Sequence, residues 1–435
     1  MAASIIPQGY LPRVVDDRVD RLLGIFGAVE VAGPKWCGKT WTALRHGASV
    51  SYVDDSYDMA KADPKLMLLG EKPHVIDEWQ RVPAIWDAVR HEVDRERGCR
   101  GGWILTGSST PLPQDGEKAE GPWHSGAGRI GRIRMRTMSL FESGESTGEV
   151  SLAGLFEGRF EPCKVESDTL GLANAICRGG WPEAIDLDPV DAQFIARDYL
   201  RLSCSESVPR HGKDGDTARR VLQSIARNLG QATTYRTIIN DMYGAEEQPE
   251  RFLSANTLAS YLELLRDLFL VEEVPGWVPP ARSPKRLATK PKRYLADPSL
   301  AAASLGLGPE ALLNDWQTFG LLFESLCMRD LSVYAGSLDL FVDEGLRYYR
   351  DDSGLEADAV VELADGRWAA FEIKLSDDKV PQGAESLKRM KKKLTENPNA
   401  RVKDPVFMAV LVGISEYARE LEGGVYAIPI RALGV

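Results

Sequence analysis

The apolar and polar residues in the first third of the chain alternate between short strand-like runs and helical segments. Apolar runs typical of buried strands lie at residues 28–32, 51–54, 74–78 and 102–109. Helical spacing of apolar residues occurs at residues 18–26 and 40–46. Because strands alternate with helices, the pattern predicts an α/β fold with a doubly wound parallel sheet.

Beyond Leu155 the apolar spacing becomes helical. It predicts helices at residues 191–201, 217–229, 235–243 and 254–269, the last of them capped by Ser254 or Asn256. A short strand at residues 271–275 and a basic stretch at residues 282–293 follow. This order is typical of a winged helix, with residues 256–266 in the recognition position and the basic stretch in the wing. A plain helical lid on the first domain is the alternative.

The last part of the chain combines long helices with a hairpin. The predicted elements are a helix at 318–334, strands at 346–350, 355–363 and 368–375, a helix at 382–394, and strands at 406–412 and 425–430. The turn at Asp365-Gly366 joins the second and third of these strands. A chain of 435 residues exceeds one ordinary core, and we predict three domains, at residues 1–155, 156–280 and 281–435.

The composition is that of a globular protein, with 43% hydrophobic and 27% charged residues. No apolar run approaches the roughly 20 residues that a membrane-spanning helix needs, so we expect a cytoplasmic protein without a membrane partner. The six cysteines are scattered without a C-x-x-C pair, and the five histidines do not cluster with them. This spacing argues against a disulfide framework and against a zinc site.

The net charge of −11 argues against a protein that coats nucleic acid with its whole surface. Basic residues are nevertheless concentrated at residues 282–293, at residues 388–393, and at four arginines between residues 129 and 136. These groups are either solvated faces and loops or patches that contact phosphates.

One motif follows directly after the first predicted strand. Its residues fit G-x-x-x-x-G-K-[ST] without a mismatch and are Gly33, Pro34, Lys35, Trp36, Cys37, Gly38, Lys39 and Thr40. This is the Walker A pattern, in which backbone N–H groups surround phosphate oxygens, the lysine reaches the β- and γ-phosphates, and the hydroxyl holds Mg²⁺. We therefore predict a site for ATP and Mg²⁺ formed by this loop and by Trp41, the residue after it.

Two further predicted strands end in polar residues. The run at 74–78 ends in a Walker B pattern, in which Asp77 holds Mg²⁺ through water and Glu78 polarises the attacking water as general base. The run at 102–109 places Thr106 and Ser108 at the sheet edge where ligands bind, and either hydroxyl fits a sensor of the γ-phosphate.

Arginines recur at short intervals after a Gly-, Pro- and Ser-rich segment at residues 111–128. Arg129 or Arg132 fits the role of an arginine finger that stabilises the transferring phosphoryl group, within one chain or across a subunit boundary. A ladder of structural salt bridges is the alternative.

Several segments resemble one family. They are GPKWCGKTWTA, VIDEWQRVPAIWDAVR, ILTGSSTP, HSGAGRIGRIRMRTMSLFESGES, GLLFESL, RDDSGLEADAVVE and FEIKLS, and they are similar to the bacterial and archaeal AAA-superfamily ATPases that carry a conserved C-terminal domain of unknown function. The resemblance covers nearly the whole chain. It implies ATP binding and a C-terminal domain similar to restriction endonucleases.

The predicted C-terminal elements also follow the order of restriction-endonuclease-like domains, whose chemistry uses two carboxylates to hold Mg²⁺ and a lysine beside the attacking water. The hairpin register brings Asp358 within about one residue of Glu372 and Lys374, which match the E-x-K pattern of such domains. Glu324, on the apolar face of the helix at 318–334, is the helix carboxylate of this metal site. The chain departs from the pattern before Asp358, where proline is absent. An inactive domain stabilised by a buried Glu–Lys network is the alternative.

The sequence thus leads to the hypothesis of an ATP-binding and ATP-hydrolysing protein that acts on nucleic acid. We expect DNA to be contacted through the basic loops, and a homo-oligomer if the arginine finger acts between subunits. The alternative is a regulatory ATP-binding module whose C-terminal domain docks a protein partner without cleaving DNA.

Overall fold

A computed structural model describes residues 5–96, 98–109, 126–244, 253–279, 289–339, 341, 346–397 and 402–435 of the chain. The chain divides into a first unit, Met1–Thr137 with Asp267–Leu270, and a second unit, Met138–Arg266 with Val271–Val435. Within the described ranges, no helix is long and apolar enough to cross a membrane. Most of the predicted basic loop at 282–293 and of the segment at 111–128 lies outside these ranges. The three predicted domain boundaries stay a prediction.

A parallel sheet forms the centre of the first unit. Its strands are β1 Ala28–Ala32, β2 Ser49–Tyr52, β3 His74–Asp77, β4 Trp103–Gly107 and β5 Ile130–Arg134, and the helices of this unit are α1 Asp16–Leu23, α2 Lys39–His46, α3 Tyr57–Ala62 and α4 Ala84–Arg95. The strand order is β2-β3-β4-β1-β5, and every neighbouring pair is parallel. The predicted doubly wound parallel sheet is confirmed. Because β4 lies between β1 and β3, the carboxyl ends of these three strands meet at one edge.

Strand β1 is buried on both faces, which fixes the loop that follows it. Val29 and Val31 belong to the apolar cluster that includes Val19 of α1 and Ala43 of α2. On the other face, Ala28 belongs to a second cluster that contains several tryptophans. Continuous apolar runs of this kind are typical of parallel strands covered by helices on both sides.

The second unit begins with helices. They are α5 Leu152–Phe156, α6 Thr169–Arg178, α7 Pro189–Leu202, α8 Val208–Arg210, α9 Gly215–Arg227, α10 Tyr235–Tyr243 and α11 Ala255–Asp267, and its first strands are β6 Val150–Ser151, β7 Cys163–Lys164, β8 Val271–Val274 and β9 Lys292–Leu295. The Ser254 hydroxyl accepts a hydrogen bond from the Thr257 N–H at 3.0 Å, so Ser254 is the cap of α11. Strands β8 and β9 form an antiparallel pair. The winged-helix role of these elements stays a prediction.

The rest of the second unit contains a mixed sheet. Its elements are β10 Arg347–Arg350, β11 Glu356–Glu362, β12 Trp368–Ser376, β13 Phe407–Ile414, β14 Tyr417–Leu421, β15 Val425–Pro429, β16 Leu433–Gly434, α12 Pro298–Leu305, α13 Pro309–Leu313, α14 Trp316–Ala335 and α15 Val380–Thr395. The seven-stranded order is β10-β11-β12-β13-β15-β14-β7. Helices α14 and α15 both pack on β12. Strands β11 and β12 pair antiparallel with Ala359 beside Phe371, and this register continued by one residue sets Asp358 opposite Glu372.

A buried ionic triad holds several parts of the second unit together. The Arg329 guanidinium lies 3.1 Å from Asp297 Oδ2 and 2.7 Å from Asp330 Oδ1. Both carboxylates are fully buried and also accept backbone hydrogen bonds, Asp297 from Gly180 at 3.0 Å and Asp330 from Leu140 at 3.1 Å. Burial raises the pKa of Asp330 to about 6 although Arg329 opposes the shift. The triad therefore fixes α12, α14 and two loops to one another.

One edge of the seven-stranded sheet is covered by a short segment. The Trp277 N–H donates to the Tyr348 carbonyl at 2.6 Å, and the Tyr348 N–H donates to the Pro275 carbonyl at 3.1 Å. The Trp277 ring lies 4.7 Å from the ring of Trp368, centroid to centroid. Edge strand β10 therefore has a hydrogen-bonded neighbour on its outer side.

Candidate functional site

The loop after β1 has the backbone that phosphate binding needs. Gly38 adopts a left-handed conformation with φ of 99°, and a Cβ at Gly33 would lie 2.2 Å from the Met135 carbonyl oxygen. Lys39 is 4% exposed, and its ammonium donates to the Pro34 carbonyl at 2.6 Å. The loop therefore curves around its own lysine at the N-terminus of α2, where backbone N–H groups and the helix dipole favour an anion.

Arg13, which was not identified from the sequence, fixes this loop through hydrogen bonds to backbone carbonyls. The Arg13 guanidinium donates to the Cys37 carbonyl at 2.7 Å and to the Arg136 carbonyl at 2.9 Å. Arg13 thereby ties the loop to the segment that follows β5. No motif marks Arg13, because it precedes the first helix and is far from the loop in sequence.

The remaining predicted loop residues divide by exposure. Pro34 and Cys37 are buried and Lys35 is half-buried, whereas Trp36 and Trp41 are 43% and 41% exposed. Trp36 also has a positive φ of 63°. The two exposed indole rings lie on either side of Lys39 in sequence, and their role at a nucleotide stays a prediction.

The ends of β3 and β4 place a carboxylate beside two hydroxyls. Asp77 Oδ1 accepts hydrogen bonds from Thr40 Oγ1 at 2.8 Å and from Thr106 Oγ1 at 2.6 Å. Burial raises the pKa of Asp77, with Glu78 adding to the shift and the two hydroxyls and Lys39 opposing it. The structure thus brings Thr40 and Asp77 together, and hydroxyl and carboxylate oxygens are the ligands that Mg²⁺ prefers. Thr106 positions Asp77 from the neighbouring strand.

Glu78 occupies an unusual backbone conformation directly after β3. Its φ of 57° is left-handed, and its N–H donates to Thr106 Oγ1 at 3.1 Å. Glu78 Oε2 accepts hydrogen bonds from Gln80 Nε2 at 2.5 Å and from Ser108 Oγ at 2.9 Å. Left-handed non-glycine residues cost free energy and are therefore rare, and those that persist are concentrated at functional sites. The carboxylate of Glu78 is thus held by two neutral donors. The sequence motif did not identify one of them, Gln80.

Both candidate finger arginines have partners within the first unit. Arg132 Nε lies 3.3 Å from Glu30 Oε2, and its guanidinium stacks over Trp86 at 4.8 Å from the ring centroid. Arg129 Nε donates to Asp94 Oδ1 at 2.7 Å. These contacts are those of the salt-bridge alternative, and the finger role of Arg129 and Arg132 stays a prediction.

A second polar centre lies on β11 and β12. Asp358 Oδ2 accepts a hydrogen bond from the Ile373 N–H at 2.8 Å and lies 4.0 Å from Lys374 Nζ. Lys374 Nζ donates to Glu372 Oε2 at 2.5 Å, and Ser386 Oγ donates to Glu372 Oε1 at 3.0 Å. Burial and the nearby Asp358 raise the pKa of Glu372 to about 7, although Lys374 and Ser386 oppose the shift. Asp358, Glu372 and Lys374 therefore converge as predicted from the hairpin register.

Lys292 of β9 enters this centre and was not identified from the sequence. Its Nζ lies 2.6 Å from Glu356 Oε1, 3.6 Å from Glu324 Oε1 and 3.8 Å from Asp358 Oδ1. Tyr294 donates to Glu324 Oε1 at 2.6 Å. Burial and the nearby Asp358 raise the pKa of Glu324 to about 7, with Lys292 and Tyr294 opposing the shift. We call Glu324, Glu356, Asp358, Glu372, Lys292 and Lys374 the carboxylate cluster.

The metal role of Glu324, Asp358 and Glu372 stays a prediction. Among the described residues, no three histidine, cysteine or carboxylate side chains are placed so as to hold a metal ion. Lys292 and Lys374 offset part of the charge of the four carboxylates in this arrangement. Sequence reasoning placed the acids correctly on the hairpin but had no signal for the lysine that arrives from β9.

An open pocket of about 440 Å³ adjoins the cluster. It is lined by Glu356 and Glu372 of the cluster and by Glu385, Ser386 and Arg389 of α15, among others. Arg389 is exposed, as are Lys392 and Lys393 on the same helix. The basic run at 388–393 therefore lies next to the cluster.

The parallel sheet and the loop after β1 define the first unit as a P-loop NTPase fold. Residues 26–143 match the family model described as an AAA domain. Residues 170–311 and 319–433 match two models described as domains of unknown function, DUF8612 and DUF4143 respectively. The resemblance to AAA-type ATPases is thus confirmed for the first of these segments. A search of curated proteins finds no match.

The chain is similar to several solved structures, among them the following three. The Walker-type ATPase PABY2304 of Pyrococcus abyssi is 14% identical over 68% of this chain and 96% of its own, with a TM-score of 0.41. The ORC1 protein of Aeropyrum pernix, in complex with DNA, is 15% identical over 72% of this chain and 96% of its own, with a TM-score of 0.26. A RuvB variant of Thermotoga maritima is 16% identical over 60% of this chain and 89% of its own, with a TM-score of 0.25.

Proposed function

We propose that this chain binds and hydrolyses ATP in its first unit and uses that reaction to act on nucleic acid. The observation that carries the ATPase proposal is the meeting of the loop, Asp77 and Glu78 at one edge of the sheet. The loop N–H groups and Lys39 bind the phosphates, and the exposed Trp36 and Trp41 are accessible for contact with the nucleotide. The match of residues 26–143 to an AAA domain supports the same proposal.

Thr40 and Asp77 fit Mg²⁺, because their oxygens lie 2.8 Å apart beside a buried lysine and form a hard donor pair. When bound, the ion supplies charge neutralisation at the phosphates. Thr106 orients Asp77 for this role. Glu78 Oε2 is the proton acceptor for the attacking water, and Ser108 and Gln80 hold that oxygen in place.

Replacing Lys39 with alanine is expected to lower ATP affinity by about 10- to 100-fold, because a charge-assisted hydrogen bond to phosphate is lost. Isothermal titration with ATP and Mg²⁺ measures the change. Lys61→Ala, at an exposed lysine of α3, is the matched control and should bind as the parent does. If Lys39→Ala binds ATP with parental affinity, the loop does not hold the phosphates.

The nucleic-acid proposal is supported by the basic side of α15. Arg389, which lines the pocket, and Lys392 are exposed, whereas Lys391 and Lys393 are paired with Asp404 and Asp351. An exposed cationic strip of this kind fits phosphate contacts better than base readout. The predicted contact of DNA with the basic stretch at 282–293 does not extend to Lys292 and Arg293, which are buried in β9 and paired with carboxylates.

DNA binding is expected to weaken steeply between low and moderate salt. Arg389→Ala with Lys392→Ala should reduce the magnitude of the slope of log K against log salt by about 2. Each phosphate contact that is lost lowers the number of counterions released from the DNA on binding by about one. Fluorescence anisotropy with a labelled duplex measures the slope. Lys61→Ala with Lys65→Ala removes the same charge from exposed positions of the first unit and should leave the slope unchanged. Equal slopes for the parent and both double variants would show that α15 does not contact DNA.

A second candidate function is a regulatory ATP-binding module whose C-terminal part docks a protein partner without cleaving DNA. The observation that favours it is Lys292 within the carboxylate cluster, since a lysine there opposes metal-dependent cleavage. The absence of DNA binding even at low salt would favour this candidate over the first. An assembly of several copies, with Arg129 or Arg132 acting between subunits, is compatible with both candidates.

A further inference from the structure

Strand β9 is anchored on both of its sides. Lys292 and Tyr294 lie two residues apart and therefore share one face of the strand, the face toward the carboxylate cluster. Between them, Arg293 faces away from the cluster, donating to Glu273 Oε1 at 2.9 Å and to the Thr233 carbonyl at 3.2 Å. The position of Lys292 is thus set by contacts on the opposite side of the strand as well as by the carboxylates.

The cluster is also closed from the side of β9. Lys292 and Tyr294 are each 3% exposed. The backbone at Gly230 approaches so closely that a Cβ there would lie 2.5 Å from Glu324 Oε1. The Gly230 N–H in turn donates to the Arg293 carbonyl at 3.3 Å. Backbone and β9 together limit the space beside Glu324, so an ion there would have to take the place of the ammonium and could not lie next to it.

The charge of Lys292 opposes a metal ion directly. A Mg²⁺ ion binds carboxylate oxygen at about 2.1 Å, so an ion on Glu356 Oε1 would lie within about 5 Å of the ammonium that contacts the same oxygen. Burial alone would lower the pKa of Lys292, but Glu324, Asp358 and Glu356 outweigh burial and raise it above its usual value. The ammonium is therefore charged at neutral pH and repels a second cation.

We infer that Lys292 is a built-in cation that fills the metal position among Glu324, Glu356 and Asp358, so that β9 closes this endonuclease-like centre. The inference goes beyond ATP hydrolysis and does not depend on it. Without the ammonium, the carboxylates of Glu324, Glu356 and Asp358 would repel one another. We expect a divalent cation to bind there and to compensate their charge.

The experiment counts bound Mn²⁺ from the loss of the free-ion electron paramagnetic resonance signal. Lys292→Met is expected to bind one Mn²⁺ more than the parent, and its melting temperature should rise with Mn²⁺ more than that of the parent. Lys292→Met with Asp358→Asn should lose the additional ion. Lys290→Met, at an exposed lysine two residues away, is the matched control and should bind as the parent does. Ions held by Thr40 and Asp77 are common to all four proteins and cancel.

Two measurements overturn the inference. Asp358→Asn alone must leave the Mn²⁺ count of the parent unchanged, and loss of one ion would show that the parent cluster already holds a metal. Lys292→Met that is folded by circular dichroism but binds no additional Mn²⁺ would show that the lysine does not fill a metal position. If Lys292→Met does not fold, Lys292→Met with Glu356→Gln takes its place, because the second substitution lowers the repulsion. This double variant should bind one Mn²⁺ more than the parent, and a folded double variant without the additional ion overturns the inference in the same way.

Discussion

Glu78→Gln is expected to leave ATP binding unchanged and to lower the rate of ATP hydrolysis by about two to four orders of magnitude, the usual contribution of a general base. Glutamine retains an oxygen that accepts the hydrogen bonds from Gln80 and Ser108, so the side chain should keep its position. It cannot accept a proton from water. Binding and turnover are therefore separated at one residue, and titration calorimetry and a phosphate-release assay measure the two quantities.

The control for this substitution is Glu71→Gln, which neutralises an exposed acid in the same unit. This variant should bind and hydrolyse ATP at the parental rate. Parental turnover in Glu78→Gln would instead show that another group accepts the proton and that the end of β3 has been wrongly interpreted.

Arg329→Met is expected to lower the free energy of unfolding of the second unit by about 3 to 5 kcal/mol, because it leaves two buried carboxylates without their guanidinium. Asp297 and Asp330 cannot recover the lost interaction with water, since both are fully buried. Urea unfolding followed by far-ultraviolet circular dichroism, with the free energy taken from the transition of the second unit, measures the loss.

Two further variants show whether the loss comes from buried charge. Arg201→Met removes an arginine whose side chain is 63% exposed and should cost less than about 1 kcal/mol. Adding Asp297→Asn and Asp330→Asn to Arg329→Met should recover most of the lost stability, because the amides are neutral and asparagine is also a good helix cap. Equal losses for Arg329→Met and Arg201→Met would contradict the role of the triad.

Local patterns were sufficient to predict the parts of the site that depend on neighbours in sequence. The glycines of the loop and the end of β3 follow from the alternation of strands and helices, since the carboxyl ends of parallel strands meet at one edge. The turn at Asp365-Gly366 fixes the hairpin register and hence the approach of Asp358 to Glu372.

The contacts that change the chemical interpretation depend on long-range packing. Lys292 reaches the cluster only because β9 pairs with β8 and packs near α14, and neither contact has a periodic signature in the sequence. The same holds for Arg13, which meets the loop from a segment before the first helix. The hydrogen bond from Gln80 to Glu78 accompanies a left-handed backbone conformation at Glu78. Non-glycine residues rarely adopt this conformation, so the sequence did not indicate it.

The segment that covers β10 has a consequence for self-association. At the other end of the sheet, β7 is only two residues long, so neither edge offers a long free strand to a second copy. A fragment that begins at residue 281 would lack Pro275 and Trp277. Such a fragment would expose the outer hydrogen-bonding groups of Tyr348 and the ring of Trp368 together, which is the combination that promotes edge-to-edge aggregation. The hydrogen bonds of residues 275–277 thus protect the seven-stranded sheet from intermolecular pairing.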